Sequence, residues 1–271
     1  MRRKILIPTD FSKNAVKAMR YAIELYKNDT CDFYLLNVFT ADGNIMEDLM
    51  NMEPGTELYE RRKSDSETGL AKMYDMIAMT EYDNPKHHFK TISVFNNPIE
   101  AIKSVVEKKD IEMIVMGTKG ETYSRATAFG STAIYVMEKV RNCPVIVVPL
   151  NAKSDMPKEI VFPTSYKTHY KKRELNYLTD IAKKSDATII VLHISEESEL
   201  SKDQKENKQL LEEILEGTNH KPHFLSHNSV ETAINIFIES RDSDMVAFIN
   251  KKQKSLYGTL KKAHKKVVAS S

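Results

Sequence analysis

The sequence contains few cysteines and no long apolar run. Its two cysteines, Cys31 and Cys143, fit neither a metal motif nor a disulfide framework, so we expect a reducing, cytoplasmic environment. The uninterrupted apolar segments are short, Met113–Met116 and Val145–Val148 among them, and none approaches the roughly 20 residues of a membrane span. The basic N-terminal residues are followed by an apolar run that stops at Pro8, so no signal peptide is expected. We therefore expect no membrane partner.

An excess of charge of one sign is also missing. Lys and Arg number 40 against 38 Asp and Glu, which gives a net charge of +2. This balance argues against a strongly basic nucleic-acid coat protein and an acidic tail protein, and we expect no nucleic-acid partner. With 41% hydrophobic and 29% charged residues, the composition is that of a globular protein. The 271 residues are enough for two domains of ordinary size.

Three short segments occur twice in the same order, which indicates an internal repeat. The pairs are Ile5–Thr9 with Ile160–Thr164, Leu35–Val38 with Val191–Ile194, and Lys86–Phe89 with Lys221–Phe224. The two members of the third pair are about 20 residues closer together in the sequence than the members of the first two pairs. An insertion at Thr40–Glu57 in the first copy explains this difference. The polar stretch Asn151–Pro157 has the composition of a linker. The predicted domains are therefore residues 1–150 and 151–271.

Strand and helix patterns alternate along both copies. The segment Ile111–Met116, apolar except for Glu112, is typical of a strand buried on both faces, and Asn97 followed by Pro98 predicts the start of a helix. Such alternation predicts an α/β fold with a parallel sheet and right-handed crossovers. In the second copy the pattern ends with a strand at Met245–Ile249 and a helix at about Ser255–Val268. The counterpart of the last strand of the first copy is therefore predicted to be missing.

The strand ends carry the most informative residues, because ligands of open α/β sheets bind beyond the carboxyl ends of the strands. The first strand is followed by Pro8–Asp10 and the fourth by Gly117–Gly120; nine residues later, Gly130–Thr132 opens a helix. Glycines allow a close approach of backbone N–H groups, and a helix start with two hydroxyls suits a phosphate. The alternative is that the glycines only make a turn and that Ser131 only caps its helix. Neither a Walker sequence nor a Gly-x-Gly pair is present.

The spacing Gly-x2-Gly-x9-Gly-Ser of Gly117–Ser131 resembles the nucleotide motif of the universal stress protein family. The opening segment Lys4–Ser12 and the closing segment Asn142–Pro149 resemble the first and last strands of that family. The strong match covers residues 1–150, and the second copy matches in outline only. The resemblance implies two tandem doubly wound domains with five-stranded parallel sheets of order 3-2-1-4-5. It also implies the ATP binding of one subgroup of the family.

The same resemblance implies roles for single residues. Asp10 would meet the adenosine end of the nucleotide, beside Pro8 and Thr9, unless it only caps the next helix. The backbone near Val38 would read the edge of the adenine, and Met116 would line the pocket. The phosphates would be held by Gly117, Thr118, Gly120, Gly130, Ser131 and Thr132.

The loop inside the motif departs from the family pattern. Lys119 and Arg125 would neutralise phosphate charge or stand as solvated loop residues. Glu121 stands where family loops often carry more glycine, and its charge would weaken ATP binding or favour a bound Mg²⁺. Both alternatives stay open.

The second copy departs further. Ser165 replaces Asp10, and Asn250 and Gln253 replace the first two glycines of the motif. Without those glycines the backbone cannot close on a phosphate in the same way. We predict that the second copy does not bind ATP through this motif.

Two functions remain in view. The first is a nucleotide-binding regulatory protein whose ligand is ATP in a stress response, and the second is an interaction scaffold of the same fold without the ligand. No nucleophile with its base is evident, so we predict no catalytic residue and at most a slow ATP hydrolysis. The triplet His220, His223 and His227 is interpreted as a polar loop and strand edge, and no metal site is predicted.

The last strand of the first copy also predicts an assembly. Val145–Val148 is apolar, and the second copy is predicted to lack a strand that would pair with it. An exposed edge of this kind associates unless it is covered. We predict a homodimer through the first domain, or coverage of the edge by the terminal helix.

Overall fold

The structure is a computed structural model, and it describes residues 2–40, 53–79, 84–118, 130–153, 156–249 and 266–270. In the first half, strands and helices alternate as the sequence patterns predict. The elements are β1 (Arg3–Pro8), α1 (Lys13–Leu25), β2 (Cys31–Phe39), α2 (Glu57–Ala78), β3 (His87–Phe95), α3 (Pro98–Lys109), β4 (Met113–Gly117), α4 (Ser131–Lys139) and β5 (Val145–Val148).

The second half repeats this order. Its elements are β6 (Glu159–Pro163), α5 (Lys172–Ser185), β7 (Thr188–His193), a 3₁₀ turn (Glu197–Glu199), α6 (Lys202–Leu215), β8 (His220–Phe224), α7 (Val230–Arg241), β9 (Met245–Phe248) and β10 (Val267–Ser270). The predicted boundary at residue 150 falls between β5 and β6. Within the described residues, no helix combines the length and the apolar character needed to cross a bilayer.

The described strands form one sheet in the order β3-β2-β1-β4-β5-β10-β9-β6-β7-β8. Neighbouring strands within each half are parallel, and only the central pair, β5 with β10, is antiparallel. The predicted α/β class is confirmed. Counted within each half, the strands follow 3-2-1-4-5, but the two halves share one continuous sheet in place of the two sheets expected.

The prediction that the second half lacks its last strand is wrong. β10 lies beside β9 and pairs with β5, with Val268 opposite Val147 and Ser270 opposite Val145. The apolar run of Val267–Ala269 is short and directly follows a lysine-rich segment, so the sequence pattern extended a helix into it. The edge of β5 is covered by the same chain, and the edge-strand argument for a homodimer is therefore wrong as well. A homodimer stays a prediction without that support.

Two layers of helices enclose the sheet, and alternate strand residues point to each layer. In β1, Ile5 and Ile7 face the side of α1, α2, α5 and α6, whereas Leu6 faces the side of α3, α4 and α7. All three side chains are fully buried. This double burial explains why the parallel strands read as continuous apolar runs.

Local signals fix the helix starts near the carboxyl ends of the strands. Ser12 caps α1 by accepting the N–H of Ala15 at 3.2 Å. Asn97 caps α3 by accepting the N–H of Ile99 at 3.0 Å, with Pro98 in the first turn, as the sequence predicts. These caps place the two helices on either side of the end of β1.

Candidate functional site

A cavity of about 300 Å³ lies at the carboxyl ends of β1, β2 and β4, against the first turn of α4. Ten of the eleven residues predicted to bind a nucleotide line it, although they come from four separate segments of the chain. They are Pro8, Thr9, Asp10, Val38, Met116, Gly117, Thr118, Gly130, Ser131 and Thr132. The eleventh, Gly120, lies outside the described residues, as do Lys119, Glu121 and Arg125.

The loop after β1 is held by its own side chains. The Oγ1 atom of Thr9 accepts the N–H of Phe11 at 3.0 Å, and the carbonyl oxygen of Thr9 accepts the Nδ2 donor of Asn37 at 2.7 Å. Phe11 has a positive φ of 66°, which turns the chain into α1. Thr9 is buried, so its hydroxyl shapes the loop rather than standing open to solvent. The loop therefore presents Asp10 at a defined place on the rim of the cavity.

Asp10 is not the cap of α1, because Ser12 holds that position, but Asp10 does make a local turn contact. Its Oδ1 atom accepts the N–H of Ser12 at 3.1 Å, which is the local turn contact of an aspartate before a helix. The residue is exposed and lines the cavity at the same time. The contact with the backbone holds the Asp10 carboxylate at the rim of the cavity.

The end of β4 lies unusually close to α1. A Cβ atom on Gly117 would lie 2.7 Å from Nδ2 and 2.9 Å from Cγ of Asn14, distances that a side chain cannot adopt. The same Nδ2 atom donates to Oγ1 of Thr118 at 3.1 Å. The packing of α1 on β4 therefore requires a glycine at position 117. This packing also sets the position of the cavity wall that Gly117 and Thr118 form.

The start of α4 offers uncapped N–H groups. Gly130 is the N-cap with φ −70° and ψ 156°, and as a glycine it supplies no side-chain cap to the first turn. The N–H of Gly130 donates to the carbonyl oxygen of Thr118 at 2.6 Å, which fixes the helix start against β4. Ser131 is the first helical residue and not the cap, so the alternative that Ser131 only caps its helix is wrong. Ser131 and Thr132 are exposed, and the positive end of the helix dipole lies beside their hydroxyls.

The sequence reasoning missed the apolar wall of the cavity. Leu36 lies two residues before Val38 on the same face of β2, and Ile102 lies one helical turn after Pro98 in α3. Leu36 and Ile102 are each 1% exposed. Residues on one face recur at every second position in a strand and at about every fourth in a helix. Counting back from Val38 and forward from Pro98, which were already singled out, could have found them. Ala15 and Ala133 complete the lining.

The described residues that line the cavity carry little charge. Asp10 is the one charged residue among the described residues that line it. No group of three or more His, Cys, Asp or Glu side chains in the described ranges could hold a metal ion. The cavity is thus apolar at α3 and β2, and rich in hydroxyls and N–H groups at β4 and α4.

The second half repeats the loop but not the carboxylate. Oγ1 of Thr164 accepts the N–H of Tyr166 at 3.0 Å, and Tyr166 has a positive φ of 54°. Nδ1 of His193 donates to the carbonyl oxygen of Thr164 at 2.8 Å, in the place of Asn37 in the first half. Ser165 stands in the place of Asp10. Asn250 and Gln253 lie outside the described residues.

Comparison with known proteins gives, for the first half, the family that the sequence motifs resemble. The family model described as "Universal stress protein family" matches residues 1–149. Universal stress protein MJ0531 of Methanocaldococcus jannaschii is 31% identical over 147 residues, which are 54% of this chain and 81% of that protein. Universal stress protein MJ0577 of the same organism is 27% identical over 155 residues, 55% of this chain and 95% of that protein.

A solved structure resembles the whole chain. The crystal structure of a universal stress protein from Archaeoglobus fulgidus has a TM-score of 0.69 at 15% sequence identity, and the match covers 98% of this chain and 97% of that one. At this identity the likeness shows the fold alone. That fold includes both halves, although the family model matches only the first.

Proposed function

This chain belongs to the universal stress protein family, and we propose that its first half binds ATP as a regulatory ligand in a stress response. One observation carries the proposal. Ten residues selected from strand ends, glycine spacing and the family resemblance, in four segments, line a single cavity at the carboxyl edge of the sheet. The parallel strands β1, β2 and β4 bring their carboxyl ends to one edge of the sheet, and the glycines, the hydroxyls and the start of α4 surround one cavity at that edge.

The lining supports a nucleoside phosphate in one orientation. The apolar side chains of Val38, Leu36 and Met116 suit the flat face of a base. Asp10 would accept hydrogen bonds from ribose hydroxyls. The first turn of α4 would receive the phosphates through its N–H groups and through the hydroxyls of Ser131 and Thr132. The volume of about 300 Å³ is at the lower end for small-molecule sites, and the phosphate side is where a triphosphate would extend outward.

Mg²⁺ would enter with the phosphates, not on a cage of protein ligands. In the described ranges no cluster of side chains could hold a metal by itself, and Asp10 is the one carboxylate that lines the cavity there. Magnesium commonly keeps several waters and is held by substrate phosphates with one or two carboxylates. We therefore propose ATP with Mg²⁺ as a joint ligand of the first half. The second half, with Ser165 in place of Asp10, is proposed not to bind ATP in this way.

The second candidate function is an interaction scaffold of the same fold. It is favoured by the lack of any Lys or Arg among the described residues that line the cavity. Without a facing cation, the binding of a phosphate chain by the protein would depend on neutral N–H and hydroxyl donors alone. A binding measurement decides between the two candidates.

The test places a negative charge at the proposed phosphate end. Gly130→Glu adds a carboxylate at the N-cap of α4, where it repels phosphate and fills the space in front of the N–H groups. The matched control is Tyr135→Glu, which adds the same charge on the same helix at a side chain that is 50% exposed and does not line the cavity. Affinity is measured with a fluorescent ATP analogue, and folding by circular dichroism.

We expect Gly130→Glu to lower the affinity at least a hundredfold, and Tyr135→Glu to leave it within about twofold. Unchanged affinity of the folded Gly130→Glu protein would refute the assigned phosphate end. No binding by the unmodified chain, freed of carried-over nucleotide, would favour the scaffold.

A further inference from the structure

A larger cavity, of about 900 Å³, lies along α1 and shares no lining residue with the nucleotide cavity. Residues of α1 from Lys13 to Glu24 contribute to it at helical spacing, so one face of the helix forms a wall. The opposite wall is formed by Met76 of α2, by Met156 before β6 and by Ser185 at the end of α5. We call this cavity the α1 groove; it lies between the two halves of the chain.

The rim of the α1 groove is strongly cationic. The described lining carries five cations, Lys13, Lys17, Arg20, Lys27 and Lys158, and one carboxylate. That carboxylate, Glu24, pairs with Lys27 at 2.6 Å. The surplus of four positive charges is concentrated in one groove of a chain whose net charge is only +2.

Two of these cations are not neutralised within the described residues. The ammonium groups of Lys13 and Lys158 make no ion pair there, and both residues are exposed. Lys17 directs its Nζ atom to the carbonyl oxygen of Ala152, which satisfies a donor and leaves the positive charge in place. The groove therefore attracts an anion from solution.

The interior of the groove is apolar. Val16 and Met156 are partly buried against the core. Met76 is 36% exposed, although it lies one turn after buried Met73 and directly before buried Ile77. Methionine side chains adapt their shape and are common on surfaces that accept varied apolar groups. Cations around an apolar interior suit a ligand that is itself amphiphilic.

A buried hydroxyl adds a second, independent observation. Tyr21 lines the groove, is 4% exposed, and its Oη atom has no hydrogen-bond partner within the described part of the chain. Leaving a buried hydroxyl without a partner costs about 1–3 kcal/mol. Burial raises the pKa of Tyr21, and the carboxylate of Asp244 acts in the same direction, so the hydroxyl keeps its proton and remains a donor. Asp244 accepts the backbone N–H of Lys158 and pairs with the ammonium group of Lys153 at 3.2 Å, so its negative charge is balanced by Lys153.

We infer that the α1 groove binds an organic anion with an apolar body, of the class of long-chain carboxylates. The apolar chain would lie on Val16, Met76 and Met156. The carboxylate would face Lys13 and Lys158. The Tyr21 hydroxyl is closed off from solvent in this structure, so the Tyr21 side chain would shift toward the groove to donate its unused hydrogen bond to the carboxylate. The volume of about 900 Å³ is within the range of small-molecule sites, and the elongated wall of α1 suits an extended ligand.

The experiment titrates the full chain with laurate as the probe. The fluorescent sulfonate 1-anilinonaphthalene-8-sulfonate serves as the reporter that laurate displaces. We expect saturable binding with one site per chain, and no displacement by dodecyltrimethylammonium, which has the opposite charge. Added ATP should leave laurate binding unchanged, since the two cavities share no lining residue.

Two double variants test the cationic rim. Lys13→Glu with Lys158→Glu should weaken laurate binding at least tenfold. Lys108→Glu with Lys139→Glu is the matched control: it makes the same change of charge at exposed positions on α3 and α4, on the other face of the sheet. The control should stay within about twofold of the unmodified chain. Equal weakening in both would show only a general effect of net charge and would overturn the inference.

Tyr21→Phe tests the hydroxyl without removing the ring. We expect laurate binding about tenfold weaker and an unfolding temperature that is unchanged or higher, because the hydroxyl has no partner to lose. Unchanged affinity would contradict the placement of the carboxylate. Absence of saturable laurate binding, displacement of laurate by ATP, or binding of an acidic amphipathic peptide but not of laurate would each overturn the inference.

Discussion

The side chain of Asn14 occupies the space that a Cβ atom on Gly117 would need. Such a Cβ would lie 2.7 Å from Nδ2 and 2.9 Å from Cγ of Asn14. Asn14 is buried, and its Nδ2 atom is held by the hydroxyl oxygen of Thr118 at 3.1 Å. Helix α1 can therefore approach the end of β4 this closely only because residue 117 is a glycine. Gly117, which was selected from a ligand-binding motif, is thus also required by the packing of α1 against β4.

Gly117→Ala should destabilise the protein by about 1–3 kcal/mol, because the added methyl group overpacks the contact between α1 and β4. Urea unfolding measures the loss. In the background of Asn14→Ala the same substitution should cost clearly less, since the amide that it meets is gone. An equal cost in both backgrounds would contradict this explanation of the glycine.

Removing residues 266–271 should expose the edge of β5. In the intact chain Val147 lies opposite Val268 and Ile146 opposite Ala269. Without β10 the apolar strand Val145–Val148 presents unpaired N–H and C=O groups, which favour strand pairing between chains. Light scattering should show a mass above that of the intact chain, rising with concentration. A shortened chain that is folded and keeps the original mass would contradict the proposed role of β10 as a cover.

Asp10→Ser installs in the first half the residue that the second half carries at this place. The loop should keep its shape, because Oγ of Ser165 accepts the N–H of Lys167 at 3.4 Å much as Oδ1 of Asp10 accepts that of Ser12. ATP affinity should fall about tenfold through the loss of the charged acceptor, with little change in unfolding temperature. The reverse change, Ser165→Asp, should create no second site. Unaltered affinity in Asp10→Ser would remove Asp10 from the ribose end.

The two thiols should be inert in the folded protein. Burial raises the pKa of Cys31 to about 12, with a further rise from the nearby carboxylate of Asp29, and burial also raises the pKa of Cys143 to about 12. Thiolate is the reactive form, so at pH 8 both groups stay protonated as well as inaccessible. An aromatic disulfide reagent should react at least about a hundredfold more slowly with the native chain than with the chain in urea. Fast reaction of the native protein would contradict the described burial.

Much of the fold follows from local patterns in the sequence. The paired segments at Ile5–Thr9 and Ile160–Thr164 form β1 and β6 with their turns, and Asn97 with Pro98 opens α3. These signals are short-range, so a pattern in one segment is sufficient. The pairing of β5 with β10 is different, because it joins residues more than a hundred positions apart and depends on where the last four-residue strand lies. A short apolar run after a lysine-rich segment does not carry that information.

The candidate site shows the same limit. Spacing and strand ends selected Asp10, Gly117 and Ser131, which the sheet topology brings to one cavity. The apolar wall at Ile102 was missed because it is contributed by α3, which lies next to the strand ends only in the folded sheet. The close approach of Asn14 to Gly117 is likewise a tertiary contact that no spacing rule reports.

The most direct test of the nucleotide proposal is isothermal titration of the full chain with ATP and Mg²⁺. The first half carries Asp10 and the uncapped start of α4, and the second half has Ser165 in the place of that carboxylate. We predict one ATP per chain, with micromolar affinity, and complete loss of the heat in Gly130→Glu. Two ATP per chain would contradict the assignment of the site to the first half, and no heat from a folded, nucleotide-free chain would contradict ATP binding itself.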